Sequence, residues 1–540
     1  MADTPSQRPE DKDSDSFSLN RRELLMGAGG VLLAGSLAAC GSGGSSGTTA
    51  SSAAGTPKRG GNFRLAVTGG GAKDMMDGQN IITKPDQARL MTAFETLLVF
   101  DTNYHLQNHL AEEVTQNKPD QWTIVLKKGI EFSNGKTLTA DDVVYSLNRL
   151  IDPKNGLYGA AGFASLKSSG IKKLNSTTVQ LNLSYADAGI AEQLGQYYNG
   201  IVPEGYEAYP APQHGTGGYI LKSFTPGQQS VHTRNPNYWQ SGKPYFDQVT
   251  ITDFTDATAQ VNALQAGQAD AMTDLPFGNV SVIKGHPGLS VLISKTGGWL
   301  PLCMAIDMPP FTDNRVREAF RLMVDRQQMV EQVLSGYGTI ANDLYSPFDP
   351  AYNHSLPQRE QDVDKAKSLL KQAGQDGMTV DLHTTNGAAG MVDVANVFAT
   401  QAKASGVTVN VHNDPNYYGD SYLKLAFSID FWGTRNYLPQ VANGSIPGAP
   451  YNETHWPPKS GPGSNFLDLY HQALTQVDES KRVPIIHEMQ ALEYNYGGYI
   501  IPFFNDLVDA YSSKVAGFEP SKGTLNLTSF GNGYTTIWFA

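Results

Sequence analysis

Residues 122–150 read Trp-Thr-Ile-Val-Leu-Lys-Lys-Gly-Ile-Glu-Phe-Ser-Asn-Gly-Lys-Thr-Leu-Thr-Ala-Asp-Asp-Val-Val-Tyr-Ser-Leu-Asn-Arg-Leu, and both backbone periods occur in this one run. Trp122, Ile124 and Leu126 alternate with Thr123, Val125 and Lys127, as a strand with one buried face requires. Thr139 then stands where a side chain caps a helix, with Asp142 three residues on. Val143, Val144, Leu147 and Leu150 form the apolar stripe of that helix. A strand, a glycine turn and a capped helix in sequence predict a mixed α/β fold.

The same periods recur outward from this stretch. Val179, Leu181 and Leu183 alternate as a second strand. Asp313 or Asn314 opens a helix in which Val316, Phe320, Met323 and Val324 lie on one side, continuing to about Leu334. Asp362 to Ala373 forms another, with Leu369 and Leu370 inward and Gly374 ending its last turn. Pro and Gly clusters at 210–218, 447–450 and 457–463 mark long loops, which often border ligands. From Pro57 onward there are 484 residues and no repeat of solenoid length, so two or more lobes are expected.

The first residues bear on compartment. Arg21 and Arg22 precede the apolar run Leu24 to Ala39, whose sixteen residues include four glycines, too few and too flexible to span a hydrocarbon core of about 30 Å. Residues 1–39 read as a signal peptide, and Asn20 to Leu25 resembles a twin-arginine signal. Leu37, Ala38, Ala39 and Cys40 resemble a bacterial lipobox, which implies a lipid anchor on Cys40 and a place on the extracytoplasmic face of the cell membrane. Gly41 to Thr56 is almost wholly Gly, Ser, Thr and Ala and reads, with Cys40, as a flexible tether. The G-x-S-x-G spacing of Gly43, Ser45 and Gly47 falls in that tether, where no strand and turn exist to strain a serine into a nucleophile. Cys303 is the only other cysteine, so stability comes from core burial without an intramolecular disulfide. Residues 1–39 hold four basic and six acidic side chains, which leaves 36 against 46 and a net charge of −10, a balance that argues against nucleic acid as a partner.

Several blocks, in this order, resemble the family 5 bacterial extracellular solute-binding proteins. The clearest is Trp122 to Leu150, with Phe132, Asn134, Gly135, Thr139, Ala140, Asp141, Asp142 and Val143. Gly215 to Leu221, Arg234 to Trp239, Ala263 to Asp270, Pro310 to Asp325 and Asp362 to Gly374 continue it. The resemblance implies an α/β fold of the two-lobe periplasmic-binding-protein type, hinged by two crossovers near Thr296 and Ile501. Lobe I would comprise 57–294 with 502–540, including an extra subdomain at about 101–200, and lobe II 295–501. It also implies a monomer without cofactor that captures a peptide or peptide-like solute for the permease subunits of an ABC importer. Such lobes close on a ligand by hinge motion.

In peptide-binding members of that family, an aspartate between a tryptophan and a proline accepts the ligand's ammonium. Here the segment runs Trp432, Gly433, Thr434, Arg435, Asn436, Tyr437, Leu438, Pro439, and the amine-binding position falls on Arg435. A guanidinium is a fork of donors suited to carboxylate or phosphate, which favours a ligand with an acidic or N-terminally masked end. Two roles stay open: contact with such a ligand, or an internal pair with Asp430 or Glu453 that leaves the cleft neutral. Trp432, Tyr437 and Trp299 are the candidate aromatic walls and Asn436 a polar neighbour, because rings supply flat area at low entropy cost. Glu95, in Phe94-Glu95-Thr96-Leu97, matches a family segment near the cleft, with a structural ion pair as the rival reading.

Enzymatic motifs are weak. His487 and Glu488 begin an H-E-x-x-H pattern, but Ala491 stands at the second His. Gly27, Gly29 and Gly30 lie in the signal peptide, so no dinucleotide fingerprint follows a strand. His105, His109, His383 and His412 have no metal-ligand spacing, and no metal site is predicted. Alternatives to a peptide ligand are an oligosaccharide or a metal chelate. The alternative of another class is a secreted hydrolase using paired carboxylates.

Overall fold

A computed structural model describes residues 55–540 apart from 82, 188, 420, 477 and 528–532. The export and lipidation readings at Arg21 to Cys40 lie outside the described residues.

Strand Gln121–Leu126 buries Trp122, Ile124 and Leu126 and leaves Thr123 and Val125 half-buried. It lies inside a four-stranded antiparallel sheet in the order Ala111–Lys118, Gln121–Leu126, Thr178–Leu183, Leu166–Asn175. Helix Ala140–Ile151 places Val143, Leu147 and Leu150 in one core with Ile124, Val179 and Leu181, while Val144 stays half-buried. Its start is fixed by Asp142, whose fully buried carboxylate accepts from the Thr139 amide at 2.9 Å and the Thr139 hydroxyl at 3.0 Å. Lys136 Nζ at 2.5 Å and the Glu204 amide at 2.9 Å complete its shell. Burying a carboxylate is tolerable here because every lone pair meets a donor.

The helix expected from residue 314 to about Leu334 is two helices, Asn314–Leu322 and Arg326–Leu334. Asp325 breaks it by capping the second, accepting from the Gln328 amide at 2.9 Å, a local alternative to continuing the helical ladder. Helix Val363–Gln372 follows the pattern read for it, with Asp362 accepting from the Lys365 amide at 2.8 Å and Gly374 at φ +70° after its end. In that helix Leu370 is buried and Leu369 packs on the same core while partly exposed.

Two larger sheets hold most of the remaining strands. The first runs in the order Leu289–Gly298, Phe503–Ser512, Ala271–Met272, Asn62–Thr68, Gln248–Phe254, Gln229–Arg234, Tyr219–Thr225, with Gly338–Ile340 also pairing to Phe503–Ser512. The second runs Thr408–Asn413, Thr379–Thr384, Phe427–Ile429, Leu302–Met304, Tyr499–Ile500. The chain passes between them twice, from Gly298 to Leu302 and from Ile500 to Phe503. Each sheet buries its own apolar residues, Phe63, Leu65, Val67 and Ile251 in the first and Leu302, Met304, Phe427 and Ile429 in the second.

Asp142→Ala strands the Thr139 and Glu204 amides and a lysine beside a core helix. It is expected to cost about 1–3 kcal/mol, read as a lower urea midpoint with helix content otherwise retained.

Candidate functional site

Where the chain crosses between the two sheets, Trp299 and Trp432 form an isolated antiparallel backbone pair, with N–H to O distances of 3.0 and 2.9 Å. Their indoles stack at 5.8 Å. The stack extends inward through Tyr345, 5.5 Å from Trp299, to Tyr437, 5.3 Å from Tyr345. At its inner end the phenols of Tyr345 and Tyr437 donate to Glu493 at 2.8 and 2.6 Å. Burial pushes the Glu493 carboxyl up to about 7, against the lowering effect of those donors. Trp299 is 1% exposed and Tyr437 fully buried, so these two support the wall from behind. Trp432 forms its face.

Arg435 lies on that face, its guanidinium 5.2 Å from the Trp432 ring centroid. The residue before it is pinned by three segments. The Gly297 amide donates to Thr434 Oγ1 at 2.9 Å, Thr434 Oγ1 donates to the Lys522 carbonyl at 2.8 Å, and Tyr104 OH donates to the Thr434 carbonyl at 2.8 Å. After it, the Tyr437 amide donates to Asp349 at 2.7 Å. The guanidinium is thereby held on a short rigid segment. Among the described residues no carboxylate lies within ion-pair distance of it.

The internal pairs considered for Arg435 are not made. Asp430 accepts from Tyr418 OH at 3.0 Å, Tyr422 OH at 2.7 Å and the Phe431 amide at 2.8 Å. Glu453 accepts from Tyr499 OH at 2.5 Å. Burial, then the facing Asp430, hold the Glu453 carboxyl well above its usual range.

The opposite side comes from residues that sequence reasoning did not select. Glu192, in helix Ile190–Gln193, accepts from Asn436 Nδ2 at 2.5 Å. Burial pushes Glu192 up to about 8; Asn436 and Arg435 pull it down, Asp349 and Asp187 push it further. Tyr104, Tyr197, Tyr198 and, from the other side, Tyr451 all feel the Arg435 charge. Tyr198 meets Tyr158 edge-on at 4.8 Å and Tyr197 at 5.0 Å, and Tyr451 meets Trp432 edge-on at 5.8 Å. Adjacent Tyr197 and Tyr198 were the one local signal available, a polar-aromatic pair without strand or helix period.

Glu95 departs from its expected role. Its carboxylate takes four internal donors: His109 at 3.1 Å, Thr216 at 2.8 Å, Tyr238 at 2.7 Å and Trp239 at 2.9 Å. Burial raises its pKa, but His109 and these hydrogen bonds outweigh that and hold it below the ordinary value. With both oxygens used, it joins segments of the chain and has none left for a solute.

The sequence profile of the bacterial extracellular solute-binding proteins, family 5 middle region, matches residues 105–448. Heme-binding protein A of Haemophilus influenzae is 28% identical over 279 residues, 47% of this chain and 51% of that protein. Glutathione-binding protein GsiB of Escherichia coli is 26% identical over 294 residues, 53% and 57% of the two chains. The chain thus spans a little over half the length of these two relatives. Nickel-binding protein NikA of Staphylococcus aureus is 25% identical over 445 residues, 79% and 86% of the two chains. Among solved structures, the substrate-binding protein CtaP of Listeria monocytogenes superposes with a TM-score of 0.78 at 19% identity, covering 89% of this chain and all of that one. The peptide-bound DppA of Helicobacter pylori gives 0.73 at 19% identity, covering 89% and 98%. The fold is that of the two-lobe periplasmic binding proteins. By the profile match over residues 105–448, the chain belongs to the family 5 bacterial extracellular solute-binding proteins.

Proposed function

We propose that this chain is the extracytoplasmic solute-binding component of an ABC importer, holding a peptide-like solute with an acidic or N-terminally masked end between its lobes. Arg435 is the anchor of that solute. The observation that carries this reading is a half-buried guanidinium, stacked on Trp432 and ringed by phenols, with no carboxylate partner among the described residues. A cation left in that state gains most from an incoming carboxylate, because a bidentate pair in a dry cleft replaces lost hydration. Tyr451, which is exposed, offers flat area for the rest of the solute.

In this reading residues 57–294 with 502–540 are lobe I, with the four-stranded sheet in a subdomain at about 101–200, and 295–501 are lobe II. Cys40 is the lipid anchor and the protein acts as a monomer, delivering its solute to permease subunits chemically unchanged.

Arg435→Asp is expected to weaken an acidic natural solute, recovered from native protein and identified by mass spectrometry, by about 2–5 kcal/mol, or roughly 30-fold or more. Unchanged affinity by calorimetry removes Arg435 from the site. Incubation of the purified protein with labelled peptides and oligosaccharides is expected to give stoichiometric binding and no products; turnover overturns the transport reading.

A further inference from the structure

Glu192 is a carboxyl group in an unusual position. It is 9% exposed, it receives one amide donor from across the cleft, and no cation pairs with it among the described residues. Among the described residues its second oxygen, Oε2, makes no hydrogen bond. Two other acids share this space, but each has a donor on both oxygens. Asp187 accepts from Ser165 at 2.7 Å and the Gly189 amide at 2.9 Å, and Asp349 from the Tyr437 and Ala351 amides, each at 2.7 Å. A desolvated carboxylate with a single neutral donor is costly, whereas the neutral acid is not.

We propose that Glu192 is a positioning residue for the solute site, and that closing the two lobes takes up a proton on its carboxyl group. This rests on the solute-binding reading above. In the closed arrangement, the neutral acid accepts the Asn436 amide on Oε1 and keeps its proton on Oε2, directed to an acceptor such as the acidic end of a solute on Arg435. Opening removes Asn436 and the neighbouring Asp349 and returns the group to water. No bond to carbon changes; one proton moves from solvent to Oε2 on closing and back on opening.

The sign follows from the two protonation states. The closed form holds the proton up to about 8, and a solvated glutamate near the ordinary 4.5. Closure is therefore most favourable below the lower value and weakens through the window between the two, by about tenfold per pH unit, becoming level above the upper one. The other groups facing Glu192 are Asp187, Tyr104 and Tyr198 from its own side and Asp349 and Arg435 from the other. Burial also pushes Asp187 and Asp349 up, so they add their own dependence. Tyr104 and Tyr198 stay neutral throughout the range.

Pulsed electron–electron resonance on the full mature chain without solute tests this, with nitroxides at Ser168→Cys and Asp376→Cys, two exposed positions on opposite sides of the cleft. The wild-type ratio of closed to open distances is expected to fall between pH 5 and pH 8 more steeply than that of Glu192→Gln, by about tenfold per pH unit. Glu192→Gln, which keeps the acceptor for Asn436, is expected to be more closed than wild type at pH 7. Equal slopes in the two proteins, or a Gln variant less closed at pH 7, overturn the proposal. No solute is present, so its failure is separate from that of the Arg435 experiment. Solute binding that is lost with Arg435→Asp while the two slopes agree would sink the proton uptake and leave the transport reading standing.

Discussion

The cleft depends on the backbone pair between Trp299 and Trp432. It joins a residue on one crossing between the sheets to the segment that presents Arg435, and the two stacked indoles exclude water from its hydrogen bonds. Each stacked ring pair in the column contributes about 0.5–1.5 kcal/mol beyond its burial, so the Trp299, Tyr345 and Tyr437 contacts together make the wall stiff. Stiffness matters because a guanidinium already held on its segment loses less entropy when a solute arrives. Thr434, tied to Gly297, Lys522 and Tyr104, transmits that order to the next residue.

The other inward-facing arginines show how unusual Arg435 is. Arg89, fully buried, contacts Asp74, Asp86 and Asp253. Arg326 and Arg359 share Asp343, and Arg149 pairs with Asp77. Arg321 and Arg317, which lack a carboxylate, donate to the carbonyls of Tyr499 and Gly497 and of Phe311 and Tyr496. Burial accordingly lowers both, to about 9 for Arg321 and about 10 for Arg317. Each of these arginines thus has an anionic or carbonyl acceptor, whereas Arg435 has, among the described residues, an aromatic face and no such acceptor.

What the sequence revealed follows the range of the interaction. Strand Gln121–Leu126 and the Thr139-capped helix were readable because period and cap act within a few residues. The reversal of charge at Arg435 was readable by position relative to Trp432 and Pro439. The break at Asp325 was not, because an apolar stripe that continues across a cap looks like one helix until the Gln328 amide is seen on the Asp325 side chain. Glu192 and Tyr104 were hidden for a different reason: they meet Asn436 and Thr434 across separations of 244 and 330 residues, where no local pattern operates. Glu95 misled in the opposite direction, since a short block can match at a position whose side chain is consumed by His109, Thr216, Tyr238 and Trp239.

The chain is acidic overall, yet the solute proposed above is acidic too, and burial reconciles the two. Long-range charge is screened within about 8 Å at physiological ionic strength, so the total matters less than the groups lining the closed site. Burial raises the carboxyls nearby: Glu192 up to about 8, Glu493 behind the wall to about 7, and Glu453 well above its usual range. A guanidinium does not lose its charge so readily, because its ordinary value stands far above neutrality. In the proposed reading, the desolvation that raises the acids leaves the guanidinium as the charge a solute meets. An ammonium at that point would face a cation and acids that must first give up their protons, whereas a carboxylate meets a paired fork of donors at once.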